Sequence, residues 1–332
     1  MKWKVSQTDS TNLYNGIASA LHDALVKTEQ SEPQLVANLV WHLPKSINNI
    51  KFPRGYSIKS GGVFIHGQPQ VKWQICEKNK PNSDVSVEIG DLLLIRTGVE
   101  KDKVYDRRAM LLQAKKTDSM PAVPDNKNQH DLYAKWPVFQ YVRSTPALNG
   151  KQRHIVGQDL YNSSKYLLLQ KKHCATCAAT STVLSPLFCS PDFCVLTAQP
   201  TLPLLSHYKC FYQELFDFVV GDSGKQFEKP GRGTRGWDRV ITDMLGITAK
   251  RTSKFIEKAS ANASKTRGQG TEHFTSGVFN KFTALFENGL PIEKIPDISK
   301  APPELTIDAV PDPEKNGISV IEFVVDIRPL RI

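Results

Sequence analysis

One stretch constrains this chain more than any other: SVEIGDLLLIRTGVEKDKVYDRRAMLLQAKKT, residues 86–117. Its two apolar runs, DLLLI and AMLL, are too short for ordinary helices and suit buried strands, here expected over 87–95 and 109–115. The first run opens on Asp91 and the second closes on Gln113-Ala114-Lys115. Side chains alternate faces along a strand, so Gln113 and Lys115 share one face while Leu112 and Ala114 turn toward the core. If the two runs pair through the charged loop between them, Asp91 lies beside Gln113. A carboxylate, an amide oxygen and an ammonium then converge on one patch. Oxygen donors of this kind suit a hard cation such as Mg²⁺, which keeps several waters and takes few protein ligands. A lysine closing a buried strand needs a reason, and a phosphate or metal site supplies one.

The rest of the chain alternates helical and extended patterns. Apolar residues at helical spacing predict a helix over 10–27. Ser31 and Gln34 have capping-box spacing around Pro33, which predicts a second helix, ended by Pro44. Residues 60–75 suggest a bulged or edge strand, 117–130 are polar and irregular, and 130–143 read as a helix with an aromatic face. Strands are expected at 166–170 and 193–198, and an amphipathic helix at 204–220. After Gly221 comes a basic, glycine-containing loop, then a helix over 237–248, a Pro-rich strap over 288–314 and a final strand in ISVIEFVVDIR. The pattern gives an α/β or α+β core with a mixed sheet over 1–220, followed by a basic, mainly helical C-terminal region over 221–332.

The 332 residues are 40% hydrophobic and 23% charged, ordinary values for a globular chain. No apolar run reaches the roughly 18 residues of a membrane span. The opening MKWKVSQTDSTNLYNG has no apolar core of a secretory signal, so a cytoplasmic chain with reduced thiols and no membrane partner is expected. The net charge is +10, and residues 225–267 carry 11 Lys and Arg against 4 Asp and Glu. That concentration points to nucleic acid, with Lys225, Lys229, Arg232, Arg235, Arg239, Lys250 and Arg251 as the candidate phosphate contacts. Trp237 and Phe255 fit either base stacking or a helix core. GRGTRG lacks the Lys-Ser/Thr ending of a P-loop. Cys174, Cys177, Cys189 and Cys194 approach a four-thiolate zinc pattern, with His173 and His207 as further ligand candidates; buried free thiols fit the same spacing.

The acid-strand and Gln-x-Lys arrangement resembles the PD-(D/E)XK nuclease superfamily, the restriction-endonuclease-like fold. Asp91 matches the family's first acid, Gln113-Ala114-Lys115 its acid-x-Lys triplet in a Gln-x-Lys variant, and Glu32 in SEPQLVANLV the glutamate of the preceding helix. The match covers residues 28–145. It implies a metal-dependent endonuclease, with Glu32, Asp91 and Gln113 holding Mg²⁺ or Mn²⁺ and Lys115 beside the scissile phosphate. Gln113 brings oxygen without charge, so Glu32 or Glu88 must restore it; Glu88, three positions from Asp91, is expected on the opposite face. DNA is the implied substrate. The style of the chain resembles bacterial antiphage defence nucleases, which implies a second copy or another defence protein as a partner. The alternative is a non-catalytic nucleic-acid-binding or assembly protein with a structural Zn²⁺ at the cysteine cluster.

Overall fold

The computed structural model describes residues 6–25, 31–53, 56–65, 69–75, 83–118, 122, 124–156, 162–170, 194–228, 236–261, 273–291 and 317–327. In chain order the elements are α1 (Gln7–Leu25), α2 (Glu32–Asn48), β1 (Tyr56–Ile65), β2 (Gln70–Ile75), β3 (Ser83–Glu88), β4 (Leu92–Glu100), β5 (Lys103–Thr117) and α3 (Lys127–Lys135). There follow β6 (Phe139–Arg143), β7 (Gln152–Arg153), β8 (Ser164–Gln170), β9 (Cys194–Gln199), β10 (Ser206–Cys210) and α4 (Phe211–Val220). The chain continues with β11 (Lys225–Gln226), α5 (Gly236–Ala261), β12 (His273–Gly277), α6 (Ala284–Glu287) and β13 (Ser319–Ile327).

The protein is α/β, with a large mixed sheet flanked by helices. Among the described residues this sheet runs β10-β9-β8-β5-β4-β13-β1-β12, with β11 added beside β5. The β5–β8 and β4–β13 pairs are parallel and the other neighbours antiparallel. A smaller antiparallel sheet has the order β3-β2-β6-β7. Period-two alternation divides the central strands between two cores. Leu92, Leu94, Met110, Leu112 and Ala114 pack toward α1, α2 and α4. Leu93, Ile95, Ala109 and Leu111 pack with α3, α5 and the smaller sheet.

Several elements differ from the sequence reading. The charged loop expected between β4 and β5 is strand on both sides, and the hairpin closes at Lys101-Asp102, both at positive φ (48° and 60°). Positive φ at both central residues gives the twist that two-residue hairpins favour. Pro44 lies inside α2 instead of ending it. Proline cannot donate to the carbonyl four residues earlier, which is Val40. The hydroxyl of Ser276 on β12 donates to that carbonyl instead, so a tertiary contact repairs the helix. Gly62 on β1 permits the close approach: a Cβ there would fall 2.9 Å from the Val40 oxygen.

The helix expected over 130–143 is α3 followed by β6. Trp136, immediately before Pro137, takes φ 41° as the helix cap, and Phe139–Arg143 then pairs with β2. The helix expected over 204–220 begins only at Phe211, because Ser206–Cys210 pairs with β9. The tail strand β13 lies between β4 and β1, so the sheet runs across the boundary expected at residue 220. Glu322 of β13 is buried and accepts hydrogen bonds from Thr97 Oγ1 (3.2 Å) and from the N–H groups of Ala284 and Leu285 that open α6. Among the described residues, no helix is long and apolar enough to cross a membrane.

Candidate metal centre

Local sequence puts each side chain of the site in position. Ser31 caps α2 through the expected capping box: its hydroxyl accepts from Gln34 N–H, and the Gln34 side chain accepts from Ser31 N–H. This fixes the first turn and with it Glu32. The chain leaves β3 at Glu88 and enters β4 at Leu92 through Ile89-Gly90-Asp91. Glycine is required there, since a Cβ on Gly90 would lie 2.6 Å from the Tyr133 hydroxyl. Asp91 N–H donates to Leu112 O at 2.9 Å, which sets the acid level with Gln113.

The expected convergence occurs. Asp91 Oδ2 accepts from Ala114 N–H at 2.7 Å and from the Gln113 amide nitrogen. Lys115 Nζ lies 3.4 Å from Glu32 Oε2, and Glu32 Oε1 accepts from Lys116 N–H at 3.1 Å. Glu32, Asp91, Gln113 and Lys115, carried by α2, the β3–β4 junction and β5, thus meet at one end of the sheet. The parity argument holds on β5, where Leu112 and Ala114 face the helical core and Gln113 and Lys115 take the other face.

Four further residues complete the surroundings. Gln129 Nε2 donates to Gln113 Oε1 at 2.6 Å and to Glu88 O at 3.3 Å. Tyr133, one helical turn on, donates its hydroxyl to Ile89 O at 2.9 Å. Asp125 Oδ1 is 3.7 Å from Lys115 Nζ. Glu88 lies within electrostatic reach of Lys115 and Glu32. The opposite face expected from its spacing does not apply: parity counts only within one strand, and Glu88 and Asp91 are separated by a break between two sheets. The four-residue spacing of Gln129 and Tyr133 on one helix face was the available signal, but a helix begun at residue 130 left Gln129 outside.

The electrostatics centre on Lys115, which several carboxylates reach. Burial acts to lower the Lys115 pKa, yet Glu32, Asp125 and Asp91 outweigh it and hold the ammonium above its ordinary value. Burial pushes the Glu88 carboxyl up; Lys115 opposes the shift and Glu32 adds to it. A divalent cation would relieve this repulsion, and the oxygens of Glu32, Asp91 and Gln113 are donors of the right hardness. The Gln113 amide turns its nitrogen toward Asp91, so offering its oxygen takes a rotation about a broad terminal torsion. Among the described residues no three His, Cys, Asp or Glu side chains are grouped to hold a metal ion. By donor type alone, the oxygens of Glu32, Asp91 and Gln113 are of the kind that Mg²⁺ or Mn²⁺ takes.

Many of the other candidates fall outside the described residues. Cys194 is buried at the start of β9, while Cys174, Cys177, Cys189 and His173 lie outside the described residues. Lys229, Arg232 and Arg235 also lie outside them. Lys225 is in β11, paired with Ala109, where a loop was expected. Arg239 and Lys250 are exposed on α5 and Arg251 is half-buried. Trp237 is fully buried, which excludes it from stacking on bases, and Phe255 packs against His273. No family model, curated protein or solved structure matches this chain.

Proposed function

We propose that this chain is a metal-dependent nuclease with a restriction-endonuclease-like core, hydrolysing phosphodiester bonds in DNA. The observation that carries the reading is the meeting of Asp91, Gln113 and Lys115 with a helix-borne glutamate at one sheet end. Glu32, Asp91 and Gln113 would hold Mg²⁺ or Mn²⁺, with Glu88 adding negative charge. When bound, such an ion polarises a phosphoryl oxygen and lowers the pKa of water.

The chain's own residues do the rest. Lys115 is kept protonated by three carboxylates and offers its charge to a phosphate oxygen. Ala114 N–H orients the Asp91 carboxylate before substrate arrives, and Gln129 holds the Gln113 side chain in place until its amide turns its oxygen to the ion. The exposed cations Arg239 and Lys250 on α5 give the DNA backbone an attachment independent of sequence. The test is nicking of supercoiled plasmid in Mg²⁺ with and without EDTA. Cleavage that stops on chelation supports the reading. Salt-sensitive binding with no cleavage under Mg²⁺ or Mn²⁺ refutes it in favour of a non-catalytic nucleic-acid-binding module.

A further inference from the structure

Gln113 and Gln129 form a short chain of amides with an acceptor at each end. Asp91 Oδ2, which also accepts from Ala114 N–H, takes the Gln113 amide nitrogen. The Gln113 oxygen therefore points away from Asp91 and accepts from Gln129 Nε2 at 2.6 Å. The same Gln129 nitrogen reaches the carbonyl oxygen of Glu88, the last residue of β3, at 3.3 Å. A carboxylate and a carbonyl both accept, so the two ends dictate which atom of each amide faces its neighbour. Gln113 and Gln129 are 2% and 3% exposed, so bulk water does not make good a partner that either one loses. One amide of this chain cannot invert alone. Were Gln113 to turn its oxygen toward Asp91, its nitrogen would meet the Gln129 nitrogen, donor against donor. Gln129 relieves that conflict by presenting its own oxygen, and in doing so it withdraws the donor from Glu88 O.

Resting on the nuclease reading, we propose that Gln129 is a positioning residue that governs cation loading: the Gln113 oxygen becomes a ligand when the Gln113 and Gln129 amides invert together, and the Gln129–Glu88 hydrogen bond is given up. The observed orientation is then a latch. It keeps a donor against Asp91 while no cation balances the acid, and the broad terminal torsion of glutamine lets both amides turn without moving the backbone.

The test is titration with Mg²⁺, read as the rise in melting temperature, on the full-length parent, Gln129→Met, Gln113→Met, the double variant and Asp91→Ala. Methionine has the length of glutamine without its amide. Gln129→Met should melt lower than the parent in EDTA yet bind Mg²⁺ roughly two- to tenfold more tightly, the scale of one hydrogen bond no longer there to give up. In the Gln113→Met background the same substitution should leave the affinity unchanged. Affinity in Gln129→Met equal to or weaker than the parent's overturns the inference, and so does tightening that persists without the Gln113 amide. The parent gives a second readout that does not depend on a variant folding. With isotope-labelled glutamine side chains, Mg²⁺ should shift the Gln113 and Gln129 amide signals together in nuclear magnetic resonance spectra, and a Gln129 signal that stays put while Gln113 moves overturns the inference. If the parent binds Mg²⁺ through Asp91 and cuts DNA while either of these results fails, this inference alone falls. A parent whose melting temperature ignores Mg²⁺, or rises equally in Asp91→Ala, overturns the nuclease reading and this inference with it.

Discussion

The side-chain oxygen of Gln113 accepts a hydrogen bond from Gln129 Nε2 at 2.6 Å, which turns the amide nitrogen of Gln113 toward Asp91. This explains how an amide is accommodated where a second acid would repel Asp91. It also fixes what Gln113→Glu should do. A carboxylate 2% exposed beside Asp91 adds repulsion in the absence of cation and adds charge for a cation to bind. The variant should melt lower than the parent in EDTA and gain more melting temperature on titration with Mg²⁺. Equal gains in both proteins would show that Gln113 does not face the ion.

The repair of α2 at Pro44 can be measured separately. Ser276 is buried, and its hydroxyl donates to the Val40 carbonyl that Pro44 leaves unmatched. Ser276→Ala should cost about 1–3 kcal/mol, the price of a buried acceptor left unpaired. Urea unfolding should show a lower midpoint at unchanged slope.

Glu322 should make stability depend on pH. Burial raises its pKa from 4.5 to about 7, against the Ala284 and Leu285 N–H groups, Thr97 and Arg107, which all act to lower it. Between these two values the folded chain holds a proton that the unfolded chain has released. The stabilisation is therefore fully present below about pH 4.5 and is lost as pH rises to about 7, by about 3 kcal/mol in all. Glu322→Gln should remove this part of the slope in unfolding measured from pH 5 to 8.

The exposed cations of α5 should act through phosphate rather than sequence. Arg239→Ala and Lys250→Ala should each weaken duplex binding similarly on unrelated sequences. Each should also lower the slope of log affinity against log salt by about 1. An unchanged slope in both variants would place the nucleic-acid surface elsewhere.

What the sequence made legible was local. The capping box at Ser31 and Gln34 depends on neighbours three residues apart, and it formed as expected. Asp91, Gln113 and Lys115 could be brought together because strand parity and one antiparallel pairing suffice to do so. What escaped depends on distant partners. Pro44 stays in its helix because of Ser276, more than 200 positions away. SHYKC is a strand because β9 lies beside it, and β13 takes a central place in the sheet through pairing with β4 and β1. Gln129 and Tyr133 went unrecognised because their roles appear only once α3 docks against the β3–β4 junction.

The central claim is that Asp91 and Lys115 belong to a cation-dependent hydrolytic site. The most direct measurement is the initial rate of plasmid nicking in Mg²⁺ by the parent, Asp91→Asn and Lys115→Ala, each first shown to be folded by circular dichroism. The account predicts that both variants lose at least about a hundredfold in rate and that EDTA stops the parent. Cleavage by either folded variant at the parental rate would contradict it.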